Sequence, residues 1–139
     1  MIKVFSLLIF LLASFITFSQ ETDTTFTTST DTIHIMVDSA ATFPGGKPGW
    51  INHVQNHLNP SVGVDNGAHL GTYNVVIKFT VMKDGTLKDF KPETKFGYGF
   101  EQEVIRVLKL SPKWVPAKKN GVNVNSVAKQ TQTFVISKG

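Results

Sequence analysis

His53 and His57 stand four residues apart, the spacing at which two imidazoles on one helix face can share a metal ion. A zinc hydrolase of that design needs glutamate directly after the first histidine as general base. The segment reads His53-Val54-Gln55-Asn56-His57, and no third ligand stands out. The pair therefore reads as adventitious surface histidines, and no metal is expected. Gly97-Tyr98-Gly99 sits between a strand and a helix, where dinucleotide loops occur, but the third glycine of that fingerprint is missing. Glu101 and Glu103 would also repel a phosphate at the helix N-terminus, so a tight turn is the better reading. There is no cysteine, which removes thiolate nucleophiles, thiolate metal sites and disulfides together. No Gly-x-Ser-x-Gly or phosphate-loop lysine occurs, and the carboxylates are scattered singly. Neither an enzyme nor a bound cofactor is expected.

Charge points the same way. Lysine and arginine number 14 against 10 acidic residues, a formal net charge of +4. These positive residues are scattered and lack the stripe interleaved with stacking aromatics that nucleic-acid binding requires, so no nucleic acid is expected.

The elements that must position these residues are legible from periodicity. The Phe43-Pro44-Gly45-Gly46 turn leads into a first helix, Pro48 suiting its opening turn. Trp50, Ile51, Val54 and Leu58 would form its apolar face, and Asn59-Pro60 ends it. Residues 61–71 read as loop. Thr72 to Lys83 is the clearest strand, with Tyr73, Val75, Ile77, Phe79 and Val81 on one face. Asp84-Gly85 is a hairpin signal, and Pro92 marks the return strand as bulged, short or at an edge. A second helix covers Phe100 to Leu108, stopped by Pro112. Trp114-Val115 begins an extended piece, Asn120-Gly121 is a second hairpin-type turn, and the last strand runs from about Val122 to Ile136. The expected fold class is α+β: two helices packed on one face of a three-stranded antiparallel sheet, in the order helix, strand, strand, helix, strand. Polar groups on both faces of the last strand are how an edge strand reads.

Three stretches then fall into a recognisable order. They are Phe43-Pro44-Gly45-Gly46, then Lys83-Asp84-Gly85-Thr86-Leu87, then Ser111-Pro112-Lys113-Trp114-Val115-Pro116-Ala117 followed by Asn120-Gly121. With the terminal strand they resemble the C-terminal domain of TonB, the energy-coupling protein of Gram-negative outer-membrane transport. The likeness covers roughly Ala41 to Lys138, and Pro112-x-Trp114-x-Pro116-Ala117 is its most specific element. The resemblance implies a binding domain whose last strand pairs with an extended TonB-box segment of an outer-membrane receptor, a β-augmentation. The matching strand is Val127 to Val135, comprising Val127, Lys129, Gln130, Thr131, Gln132, Thr133 and Val135, with Lys129, Gln130 and Gln132 the first contact candidates. The other reading is an internal strand with a blunted edge. Phe43, Trp50 and Trp114 read as core residues. The resemblance also implies that strand exchange can give homodimers.

The chain opens with Lys3 and an apolar run from Val4 to Phe18, the pattern of a secretory signal. At about 15 residues this run falls short of the roughly 20 that span a bilayer. Thr17 and Ser19 supply small side chains for a cut between Ser19 and Gln20. The expected organisation is a signal peptide over residues 1–19, a Thr-rich flexible leader over 20–40, and a TonB-like domain over 41–139. Localisation would then be the periplasm. The alternative keeps the segment as an inner-membrane anchor, making a short energy transducer. Against that alternative, the leader has no proline before Pro44, and Gln20 to Thr42 spans at most about 80 Å at roughly 3.3–3.6 Å per residue, short for a spacer between membranes.

Overall fold

The computed structural model describes residues 37–139. The signal segment, the Ser19/Gln20 cut and most of the leader lie outside these residues. Among the described residues no helix is long and apolar enough to cross a membrane.

The long alternating strand forms as its pattern dictates. β1, Gly71–Val81, buries Val75, Ile77, Phe79 and Val81 and turns the intervening residues outward. It is the middle strand of an antiparallel sheet, between β2 (Leu87–Pro92) and the last strand, β5 (Ser126–Ile136). β1 and β5 pair along their full lengths, from Gly71 opposite Ile136 to Val81 opposite Ser126. β2 carries the expected irregularity: the register slips between Lys78 and Thr80, and Asp89 takes a left-handed φ of 54°. This bulge keeps Phe90 on the inner face beside Phe79, ring centroids 6.0 Å apart.

α1 (Gly46–His57) and α3 (Phe100–Lys109) supply the cover. α3 packs on β1 and β2, burying Phe100, Val104, Val107 and Leu108. α1 reaches the sheet through an aromatic cluster: Trp50 and Phe43 meet Trp114, and Trp114 stands edge-on to Phe79 at 5.2 Å.

The expected fold is therefore present in its long elements, but three short ones interrupt the order. Within the expected loop, Val62–Asp65 forms a one-turn helix, α2, where Gly63 lies so close to the Phe100 ring that a Cβ would overlap it. The Asn120-Gly121 turn, with φ of 51° and 75°, joins β3 (Ala117–Lys119) and β4 (Val122–Val124) into a second, two-stranded sheet. The expected continuous strand from Val122 is consequently broken at Asn125, whose side-chain carbonyl accepts the Lys83 N–H at 2.7 Å. Ordered pairing also begins before Ala41. Ser39 bridges Lys118, Thr42 bridges Val115, and the Asp38 carboxylate accepts the Asn120 N–H at the hairpin tip.

Candidate functional site

The alternation of β5 changes character along its length. Its even-numbered residues face the helices, and there Phe134 and Ile136 are buried in the core. Further back on the same face come Ala128, Gln130 and Gln132, each only half-buried. Their cross-strand partners Phe79, Ile77 and Val75 are fully covered. The difference is a matter of roofing. α3 covers β1, while beside the middle of β5 a groove of about 530 Å³ opens toward α1, lined by Phe43, Trp50, Ile51, Trp114, Gln130 and Gln132 among others. Polar residues on the inner face of β5 thus stand where the core ends and the groove begins.

β5 lies at the end of the sheet, and among the described residues its outer edge pairs with no strand. Such an edge presents unpaired N–H and C=O groups to any extended segment laid beside it. The Gln130 and Gln132 amides currently bend back onto the Thr131 and Thr133 carbonyls, at 3.3 and 3.1 Å. On the solvent face of the strand, Val127 and Val135 are 45% and 66% exposed. Lys129 there meets Glu93 at 2.9 Å, and the Thr133 hydroxyl donates to the Asn74 side-chain oxygen at 2.8 Å. Thr131 is exposed between them.

The groove wall is built by the turn before α1. Gly46 donates its N–H to the Phe43 carbonyl at 2.8 Å, closing the turn, and Gly45 and Gly46 both take left-handed φ values. Gly49 lies so close to the Pro44 carbonyl oxygen that a Cβ would overlap it. Phe43, Trp50 and Trp114 stack within 6.4 Å of one another, and the Trp114 indole N–H donates to Ser111 Oγ at 3.1 Å. All three aromatics are buried, as expected for core residues. Ile51 differs from expectation. It leaves the helix's packed face and stands 45% exposed in the groove, and the buried position falls instead to His53.

His53 is thus a packed residue rather than a surface one. It is 7% exposed, with Nε2 donating to the Val107 carbonyl on α3 at 2.9 Å and its ring between Phe43, Trp50 and His57. His57, one turn on, lies against the His53 ring at 4.3 Å and donates from Nδ1 to the His53 carbonyl at 2.8 Å, so the i, i+4 pair is engaged within the helix. Among the described residues no group of three or more His, Asp or Glu side chains could hold a metal.

Glu101 and Glu103 are likewise more than favourable charges at a helix start. Gly97, Tyr98 and Gly99 are three successive left-handed residues, confirming the tight turn. The buried Glu101 carboxylate accepts the N–H groups of Phe96 and Gly97, at 2.8 and 3.2 Å, tying that turn to α3. Glu103 accepts the Asn59 N–H at 2.7 Å and two bonds from Arg106, joining α3 to the end of α1. The Arg106 bonds and the Asn59 N–H hold its carboxyl below the usual glutamate range, against the opposing effect of burial. Neither carboxylate faces the groove. Orphaned N–H groups in a turn of three left-handed residues were the signal for Glu101; nothing in the sequence announced the Glu103 bond to residue 59.

Residues 73–136 match the family described as Gram-negative bacterial TonB protein C-terminal. The match begins in β1 and ends on the last residue of β5, so it contains the sheet, α3 and the Trp114 segment, and leaves out α1 with the Phe43–Gly46 turn. A comparison with curated proteins returned no match.

Proposed function

We propose, from the TonB C-terminal character of residues 73–136 and the open strand beside the groove, that this protein is a non-catalytic envelope interaction module that takes up an extended peptide along β5. The TonB C-terminal relationship supports a TonB-related role in the envelope and partners such as outer-membrane receptors. The finer reading, periplasmic capture of a TonB-box-like segment, rests chiefly on one observation. β5 is paired over eleven residues on one edge and, among the described residues, unpaired on the other, directly beside an aromatic-walled groove. Backbone bonds to the free edge would supply attachment, and alternate peptide side chains would enter the groove over Gln130 and Gln132. Val127 to Val135 is the contact strand, and Phe43, Trp50 and Trp114 give the wall its shape.

Strand exchange between two copies would use the same edge, so dimerisation and peptide capture compete on this reading. Secretion by a cleaved signal remains the proposed route to the periplasm, with a retained anchor as the alternative. Titrating the ¹⁵N-labelled chain with synthetic N-terminal segments of outer-membrane receptors tests the proposal. Backbone amide shifts concentrated in 127–135 and around Ile51 are expected. Shifts absent for every segment, or confined to the β3–β4 hairpin, would overturn it.

A further inference from the structure

The opposite face of the sheet carries a different pattern. Cross-strand neighbours point to the same side, and Lys78 on β1 lies directly opposite Lys91 on β2 and Lys129 on β5. Three ammonium side chains therefore cross all three strands in one row, about 10 Å from first to last at roughly 4.8 Å per strand. The Asp89 bulge adds a fourth. Residues 88 and 91 would fall on opposite faces of a regular strand, but the extra residue lets Lys88 pair with Thr80 and Lys91 with Lys78, both on the outer side. Among the described residues, Glu93 is the one carboxylate bonded into this group, through Lys129. Lys88, Lys91 and Lys129 are exposed and Lys78 is half-buried.

Like charges placed directly opposite one another on a sheet destabilise it. The Lys129–Glu93 pair offsets part of that cost, Lys78 and Lys91 have no ion pair among the described residues, and the fitting complement for them is negative charge from outside. We propose that this outer face docks on an anionic phospholipid bilayer, with Lys78, Lys88, Lys91 and Lys129 set against lipid phosphates. Lysine suits that occupant. Its ammonium is a compact, hydrated point charge without the fork that reads a single phosphate bidentately. The chain's one arginine, Arg106, is elsewhere, committed to Glu103 and the His57 carbonyl. A protein partner fits less well, because interface cores are depleted in lysine and built on aromatic anchors, and the apolar groups exposed on this face of β5, Val127 and Val135, are small and stand apart near its two ends. Lys129 stands at the rim of the groove and is common to both sites, whereas Lys78, Lys88 and Lys91 lie outside its lining, so lipid docking and peptide capture are separable by substitution at those residues.

Vesicle co-sedimentation of the chain from Gln20 onward tests this. Strong binding to vesicles of equal phosphatidylglycerol and phosphatidylcholine is expected, with little to phosphatidylcholine alone and release in 0.5 M NaCl. The Lys78→Gln, Lys91→Gln double variant should bind about thirtyfold more weakly, at roughly 1 kcal/mol per lysine. Its melting temperature should be unchanged or raised, which separates lost docking from lost folding. Lys118→Gln with Lys119→Gln makes the same charge change on the other sheet and should bind like the parent. The proposal is overturned if the two double variants weaken binding equally, if neutral vesicles bind as well, or if polyglutamate is bound while vesicles are not.

Discussion

Trp114 donates its backbone N–H to the Gly85 carbonyl at 2.9 Å, and Gly85 lies so close to the Trp114 carbonyl oxygen that no Cβ could fit between them. Two of the sequence's most recognisable pieces, the Asp84-Gly85 turn and the Pro112–Pro116 segment, are thus one structural unit. Asp84 stiffens it by accepting from the Thr86 N–H and hydroxyl, bonds that hold its carboxyl below the usual aspartate range. The unit aims the Trp114 ring at Phe79 and so fixes the groove wall.

Gly85→Ala should therefore destabilise more than an ordinary turn substitution. Its φ of 86° is unfavourable for any residue with a Cβ, by about 1–2 kcal/mol, and the overlap with Trp114 adds on the order of 1–3 kcal/mol. A loss of about 3 kcal/mol in urea unfolding is expected. The same substitution at Gly121, whose added Cβ would meet nothing within 4 Å, should cost only the backbone part. Equal losses at the two sites would refute the packing argument.

Glu103→Gln tests the link between α3 and the end of α1. Replacing bonds made by a charged carboxylate should cost about 1.5–3 kcal/mol at neutral pH. The folded-state pKa is depressed below its ordinary value of 4.5, so this stabilisation is complete above that value and is lost as pH falls through the lower folded value. The stability gap between parent and variant should accordingly be constant near pH 7 and narrow below about 4.5. A gap that widened on acidification would contradict this assignment.

His53→Ala should destabilise by about 2–3 kcal/mol, through the lost bond to Val107 and the space left among Phe43, Trp50 and His57. Zinc added to the parent protein should leave its thermal midpoint unchanged. A zinc-dependent rise that His53→Ala abolished would restore the metal reading.

The long elements were legible because each obeyed one period. Val75, Ile77, Phe79 and Val81 alternate, Val104 and Leu108 repeat helically, and both hairpin turns carry their expected residues. What escaped was decided by contacts distant in sequence. His53 is buried because Val107, 54 residues away, offers a carbonyl, and polarity alone assigned it to the surface. Ser39 and Thr42 make isolated bridges to Lys118 and Val115, partners that no local pattern names. The mixed polarity of β5 marked an edge correctly. That its inner glutamines border a groove depended on α1 standing off the strand, which periodicity does not encode.

Ile51 offers the sharpest test of the groove itself. It is 45% exposed on α1 and projects into the groove opposite β5, an arrangement that wastes an apolar side chain unless something covers it. Covering a side chain of this size contributes about 1.5–3 kcal/mol, so Ile51→Asn should weaken binding of an extended receptor peptide roughly tenfold or more. Stability should change little, within about 0.5 kcal/mol, because the residue lies outside the packed core. Isothermal titration and thermal melts on the same variant give both readouts. Unaltered affinity at unaltered stability would place the peptide away from the groove, and would leave backbone pairing at the β5 edge to account for attachment alone.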